Sequence, residues 1–263
     1  MKRRSFIEKT TISSAAMVGI PSIVPATVFG NNAPSNRINI GQIGCGRIAR
    51  SHDLPETMIY DVSNVMAVCD LDSNRLKDGK ILVDDFYKEK KGKKRYNGTK
   101  MYEDYREMLL NKDIDAVMIS TPDHWHAQPA IEAALAGKDI YLQKPTSLTV
   151  KEGRQLVNAV KKSNVILQVG TQQRAMPQFR IAAELVRNGR IGKLHTVKIG
   201  LPGDPSGPES TPMAIPKNLN FDMWLGSTPE VPYTEIGVHP NEGYSRPGWL
   251  RHENYAQWRP SFY

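Results

Sequence analysis

The residues able to do chemistry fall in three short stretches. The first, Gly44-Cys45-Gly46-Arg47-Ile48-Ala49, reads G-x-G-x-x-A straight after an apolar run. In such a turn Gly44 makes the tight bend, and Gly46, without a Cβ, lets a pyrophosphate reach the backbone. Ala49 lets a helix pack close on the strand. The start of that helix offers free N–H groups and a partial positive charge to the anion. Asp70 stands 24 residues beyond Gly46, near the ~20-residue spacing at which a carboxylate accepts ribose hydroxyls. It would repel a 2′-phosphate, so the pattern predicts NAD rather than NADP. The competing reading of Asp70 is a loop acid or a helix cap, since "DLDSNR" also begins a helix.

The second stretch is "STPDHWHA" (120–127) and the third "YLQKPTS" (141–147). His124 and His126 form an H-x-H pair. No carboxylate or cysteine at suitable spacing completes a metal site, so no metal is expected. Lys144 precedes Pro145. A lysine beside a cationic nicotinamide ring could have a lowered pKa and move a proton; the alternative is an ordinary surface lysine.

These residues need a scaffold that delivers them to one edge. Apolar runs at 37–43, 64–70, 113–120, 138–142 and 164–170 are rich in Val and Ile on both faces, which predicts buried parallel strands. Helical patterns lie between them at 102–111, 129–137 and 150–163. Thr149 and Glu152 make a capping box for the last, and Gly137 suits a helix end. Alternating strands and helices predict an α/β fold, a doubly wound Rossmann-like parallel sheet. All three stretches then sit at C-terminal strand ends, where open α/β sheets bind ligands. Pro55 should end or kink the helix after the glycine turn.

The 263 residues, 40% hydrophobic and 24% charged, are ordinary for a globular chain. The net charge of +8 owes much to "KEKKGKKR", Lys88 to Arg95, expected to be a solvated loop. It lacks interleaved aromatics and no nucleic-acid motif accompanies it, so no nucleic-acid partner is expected. Two cysteines, Cys45 and Cys69, make no disulfide framework and read as small buried residues. "RRSFIEK" followed by the mildly apolar Thr11 to Phe29 fits a twin-arginine export signal. Pro21 and Pro25 interrupt it, and it is too short and weakly apolar to span a bilayer. The expected division is a signal and linker at 1–33, a nucleotide domain at 34–163 and a partial second domain at 164–263. Export to the periplasm by the twin-arginine route follows, with that machinery as a partner.

In order, "GQIGCGRIARSH", "MAVCDLD", "STPDHWH", "YLQKP", "VGTQQR" and "RIGKLHTVKIG" match landmarks of the Gfo/Idh/MocA family. The sequence resembles its exported branch, to which "FDMWLG" and "RPGWLR" are also similar. The resemblance implies an NAD(P)-dependent oxidoreductase of a sugar or cyclitol, passing hydride between a ring carbon and nicotinamide. It implies a Rossmann-like domain followed by an α+β domain with an open, mostly antiparallel sheet. That second domain carries the substrate face and the contact for a homo-oligomer. Carried over, Gly44, Gly46, Arg47 and Ile48 lie along the pyrophosphate and Asp70 holds the ribose. Thr121, Pro122, His124 and His126 belong to the nicotinamide side, with Gln143 beside them. Lys144 takes the catalytic lysine place of the E-K-P motif. Gln143 replaces the acid before it, which speaks against a proton relay through that position.

The family's catalytic His and a nearby Asp lie beyond the "RPGWLR" region, and His195, His239 and His252 sit in no matching motif. The second domain is therefore expected to be incomplete, and the chain as it stands weakly active or inactive. Two other functions compete: glycoside cleavage through transient sugar oxidation by a retained NAD, and a non-catalytic dinucleotide- or carbohydrate-binding protein. Trp125, Trp224 and Trp249 could stack on a sugar or pack in a core.

Overall fold

The computed structural model describes residues 36–91, 96–200 and 211–234. The export reading, "RPGWLR" and Trp249 lie outside them. The strands are β1 (Ile38–Ile43), β2 (Ser63–Cys69), β3 (Lys100–Tyr102), β4 (Ala116–Ile119), β5 (Asp139–Gln143) and β6 (Leu167–Gly170). The helices are α1 (Leu54–Met58), α2 (Ser73–Lys91), α3 (Tyr105–Leu109), α4 (Ala127–Leu135), α5 (Val150–Ser163), α6 (Gln172–Ala175), α7 (Pro177–Arg187) and α8 (Phe221–Leu225).

The six strands pair in the order β3-β2-β1-β4-β5-β6, all parallel. This is the doubly wound order expected from the alternating pattern. The direction of winding reverses between β1 and β4, so a crevice opens above their C-terminal ends. Apolar side chains cover both faces of the sheet. Met108, Ile114, Ala130, Ala133, Leu142 and Leu156 pack on one side, and Leu54, Met58, Val65, Val83 and Tyr87 on the other. Both cysteines are free and buried, and burial raises both thiols well above their usual range.

Local signals behave as the sequence predicts at α5. The Thr149 hydroxyl accepts the Glu152 N–H at 3.2 Å, and the Glu152 carboxylate accepts the Thr149 N–H at 3.0 Å. Gly137, at φ +73°, follows the end of α4.

Four expectations are corrected. The edge strand β3 is not among the expected strands, because three residues, two of them exposed, carry no periodic signal. The domain limit at 163/164 falls inside the sheet: β6 pairs with β5, Ile140 opposite Leu167. Part of the basic run is helix rather than loop. Lys88 and Lys90 lie on α2, with Lys88 3.9 Å from Asp84 and Lys90 3.0 Å from Asp61. Pro55 does not end its helix, because a wider turn precedes it. Beyond Gly170 the described residues hold α6, α7 and α8 and a single bridge, Asp72 to Leu219. No strand of the expected antiparallel sheet lies among them.

Candidate functional site

β1 ends at Ile43 and the chain turns at Gly44, whose φ is +84°. A Cβ on Gly44 would come within 2.8 Å of the Ser120 carbonyl oxygen, so the turn is wedged against the end of β4. Gly46 differs. The nearest atom to a Cβ there is Arg75 Nη1 at 3.3 Å, the tip of a flexible side chain. Arg47 is exposed and Ile48 half-buried on the helical run that follows.

That run contains a π-helical turn, Ala49–Asp53, before α1. Leu54 N–H donates to the Ala49 carbonyl, five residues back. Proline lacks an N–H, and its ring crowds the carbonyl four residues before it. The wider π turn just ahead of Pro55 relieves that conflict, so the helix passes through to Met58. The extra residue also turns Asp53 inward, leaving it 3% exposed; such bulges are frequent at functional sites.

At the end of β2, Asp70 accepts two backbone N–H groups, from Cys45 at 2.6 Å and from Asp72 at 2.9 Å. It fastens the glycine turn to the neighbouring strand. The helix cap is Asp72 instead, whose carboxylate takes the Asn74 N–H at 2.8 Å. A carboxylate offers about four acceptor sites, so Asp70 keeps capacity for ribose hydroxyls.

Gly44, Gly46, Asp70, Thr121 and Pro122 all border one cleft. It is a narrow cleft of about 150 Å³, partly open to solvent, smaller than the ~300–1,000 Å³ of most small-molecule sites. Sequence reasoning missed Arg75, Tyr105 and Met223 on its wall. Arg75, in the first turn of α2, was findable from its place five residues past Asp70. Trp125 and Trp224, which the sequence allows either to stack on a sugar or to pack in a core, border the cleft too and are each 7% exposed.

Trp224 arrives from far along the chain. Asn220 N–H donates to the Leu71 carbonyl at 3.1 Å, and Ser73 N–H to the Asn218 carbonyl at 2.8 Å. The Trp224 carbonyl accepts the Trp125 indole N–H at 2.9 Å and lies 2.8 Å from His124 Nε2. Residues 218–226 thus form a strap fixed to the ends of both β2 and β4.

The two histidines are committed elsewhere. Burial holds His124 below its ordinary pKa, the Trp224 carbonyl pulling the other way, so its neutral ring donates to that carbonyl. His126 is 1% exposed. Its Nε2 lies 2.8 Å from the Thr121 carbonyl, and its Nδ1 meets the Pro145 carbonyl. Burial is again the first cause of its lowered pKa. His126 braces the loops after β4 and β5 rather than offering a ring nitrogen to the nicotinamide side. Gln143 is buried at the end of β5, and Lys144 is exposed on the loop after it. Neither borders the cleft bounded by Asp70 and Trp224; they lie at the strand end two places along the sheet from β1.

The residues present fit a dinucleotide. Gly46 leaves a cradle that a Cβ would fill, with the Arg75 guanidinium beside it and the helical run behind it. Asp70 provides the acceptor at the β2 end.

A model of the oxidoreductase family with an NAD-binding Rossmann fold matches residues 38–171. The chain is 31% identical over 223 residues to the uncharacterized oxidoreductase YrbE of Bacillus subtilis, covering 85% of this chain and 61% of that one. It is 31% identical over 188 residues to the myo-inositol 2-dehydrogenase of Thermotoga maritima, covering 72% and 52%. Among solved structures, scyllo-inositol dehydrogenase from Lactobacillus casei with NAD(H) and scyllo-inositol is similar at TM-score 0.50 and 26% identity, covering 59% of this chain and 42% of that one. A 3-ketoreductase from Actinomadura kijaniata with NADP has the same score and identity, covering 60% and 46%. The chain thus spans between 42% and 61% of the length of these relatives. The parallel sheet, the glycine turn with its acid, and the match over 38–171 together show that the chain belongs to the Gfo/Idh/MocA oxidoreductase family, with its NAD-binding Rossmann fold.

Proposed function

We propose that this chain carries the dinucleotide site of an NAD-dependent oxidoreductase acting on a sugar or cyclitol. One observation carries the reading. The glycine turn, Asp70 and the lysine loop all stand at C-terminal strand ends on the two sides of the switch point. A nicotinamide held there would supply hydride transfer to or from a ring carbon of the substrate. The backbone at Gly46 and the Arg75 guanidinium hold the pyrophosphate. Asp70 accepts the adenosine ribose hydroxyls and disfavours a 2′-phosphate. The Lys144 ammonium, exposed at the end of β5, orients the substrate hydroxyl and exchanges its proton. That two of the relatives are named inositol dehydrogenases supports a polyol ring as substrate.

The test is an assay of the chain with NAD and a panel of cyclitols and sugars, followed by nicotinamide absorbance. Reduction with one ring polyol, lost in Lys144→Ala, supports the proposal. Turnover in which Lys144→Ala equals the wild type removes the role of Lys144.

A second reading is favoured by the strap. Residues 218–226 tie the ends of β2 and β4 together over the cleft, which suits a dinucleotide that stays bound. Such a protein could cleave a glycoside through transient oxidation, without net NADH. Deuterium exchange beside the transient ketone, with no NADH released, selects it. A retained cofactor also suits export by the twin-arginine route, which moves folded proteins. Recovery of dinucleotide-loaded protein from the periplasm tests that part, and recovery from the cytoplasm alone removes it.

A further inference from the structure

The buried polar groups at the foot of the site converge on one carboxylate. Asp53 Oδ2 accepts the Ser120 hydroxyl at 2.6 Å, and Oδ1 accepts Gln143 Nε2–H at 2.8 Å. His52 Nδ1 lies 3.1 Å from the same Oδ1. Ser120 Oγ in turn accepts Gln42 Nε2–H at 3.0 Å, and that amide also reaches the Gly44 carbonyl at 2.9 Å. On the other branch, Gln143 Oε1 accepts the Lys144 backbone N–H at 3.3 Å. An ionised carboxylate only accepts, so Asp53 fixes the direction of every bond in both branches. One charge thereby joins the glycine turn after β1, the end of β4 and the lysine loop after β5.

We propose that Asp53 is the positioning residue of the dinucleotide site, orienting the Gln143 amide and through it the backbone of Lys144, in register with Gly44. This rests on the reading that the dinucleotide spans Gly44 and Lys144. It also gives Gln143 a reason. A carboxylate at position 143 would face Asp53 in a buried site, where two like charges do not both persist. The amide lets a single charge stay, and that charge sits one hydrogen bond away from the place the E-K-P pattern gives it.

Donor and acceptor counts set the test. In Asp53→Asn, one acceptor and one donor face the Ser120 and Gln143 donors, while His52 Nδ1 can adapt to either by its tautomer. Either the Ser120 proton loses its acceptor, or the Gln143 amide turns over and sets its NH₂ against the Lys144 N–H. In the double variant Asp53→Asn with Gln143→Glu, the count closes again. The carboxylate, now at position 143, accepts both the amide N–H introduced at position 53 and the Lys144 N–H. The amide oxygen at position 53 keeps the Ser120 hydroxyl.

Three readouts are taken on the full chain: NADH affinity by fluorescence titration, melting temperature, and acetylation of Lys144 relative to exposed Lys161 by mass spectrometry. Asp53→Asn is expected to weaken NADH binding about tenfold or more and to change the Lys144 acetylation ratio. The double variant is expected to restore both. A folded Asp53→Asn that matches the wild type in both readouts overturns the proposal, and so does a folded double variant no better than the single. If Asp53→Asn does not fold, Gln143→Glu carries the test. Its two facing carboxylates must share a proton, so NADH binding should weaken more steeply with rising pH than it does in the wild type. His52, Tyr141 and Lys144, the other ionisable groups around the pair, are common to both proteins, and a profile that matches the wild type's overturns the proposal. If the wild type binds no NADH, the reading of the cleft falls, while the acetylation ratio still decides the coupling.

Discussion

Gly44 and Gly46 stand two residues apart and should fail in opposite ways. Alanine at 44 must adopt a φ of +84°, which costs roughly 1–2 kcal/mol for an L-residue. Its Cβ also meets the Ser120 carbonyl oxygen at 2.8 Å, a backbone atom that cannot swing aside. Together these predict a loss of about 2–4 kcal/mol, from a total that is ordinarily about 5–15 kcal/mol. For a chain of this size the melting temperature should fall by roughly 5–15 °C. Alanine at 46 needs no unusual φ and touches only the tip of Arg75 at 3.3 Å, which can move. Its stability should hold or rise slightly, because alanine restricts the unfolded chain. Its methyl group occupies the cradle where the pyrophosphate would sit, so NADH affinity should fall about tenfold or more, at least ~1.4 kcal/mol. Scanning fluorimetry and isothermal titration of both variants separate the two effects. A Gly46→Ala chain that binds NADH like the wild type would remove the phosphate role. A Gly44→Ala chain as stable as the wild type would refute the strain argument.

Asp70→Asn removes the charge set against a 2′-phosphate while leaving one acceptor for Cys45. The ratio of NADP to NAD affinity should rise about tenfold or more in competition titrations, at a stability cost of about 1 kcal/mol for the weakened backbone bonds. Asn218→Ala cuts the bond from its amide to Asp72 at 2.9 Å and loosens the strap. NADH dissociation in stopped flow should become several-fold faster, and an unchanged rate would show that the strap does not hold the dinucleotide. Asp84 gives an acid limb. Burial pushes its carboxyl up, but Lys80, Thr99 and Tyr96 outweigh that and bring it down to about 2 from 3.8. A folded pKa below the unfolded one stabilises the protein above the unfolded value, and the gain is lost as pH falls from about 4 toward 2. The contribution is about 2 kcal/mol, so Asp84→Asn should flatten the acid side of a melting-temperature profile against pH.

The inner strands β1, β2, β4 and β5 were legible because they are largely buried on both faces and so read as apolar runs. The helix at 150–163 was legible from Thr149 and Glu152, whose reciprocal bonds are purely local. β3 was not, since its three residues, two of them exposed, owe their conformation to pairing with β2. The π turn was hidden as well. Pro55 signals a conflict but not its resolution, which depends on the wider turn ahead of it and on partners for Asp53 at β4 and β5. Gly44, Gly46, Asp70, Thr121 and Pro122 were findable because turn chemistry and strand ends locate them. Trp224 reaches the cleft through the Leu71 and Trp125 contacts, tertiary information that no spacing encodes. For His126, the H-x-H pair suggested an available ring; two backbone carbonyls, distant in sequence from one another, lie against its two nitrogens, and the neutral ring has one N–H to donate to one of them.

The most direct test of the central claim is hydrogen–deuterium exchange of the chain with and without NAD. The account predicts slower exchange on NAD addition in peptides covering 44–50, 70–76, 120–126, 143–146 and 218–226, with 150–163 unchanged. Protection confined to other segments, or no change at saturating NAD, would contradict it.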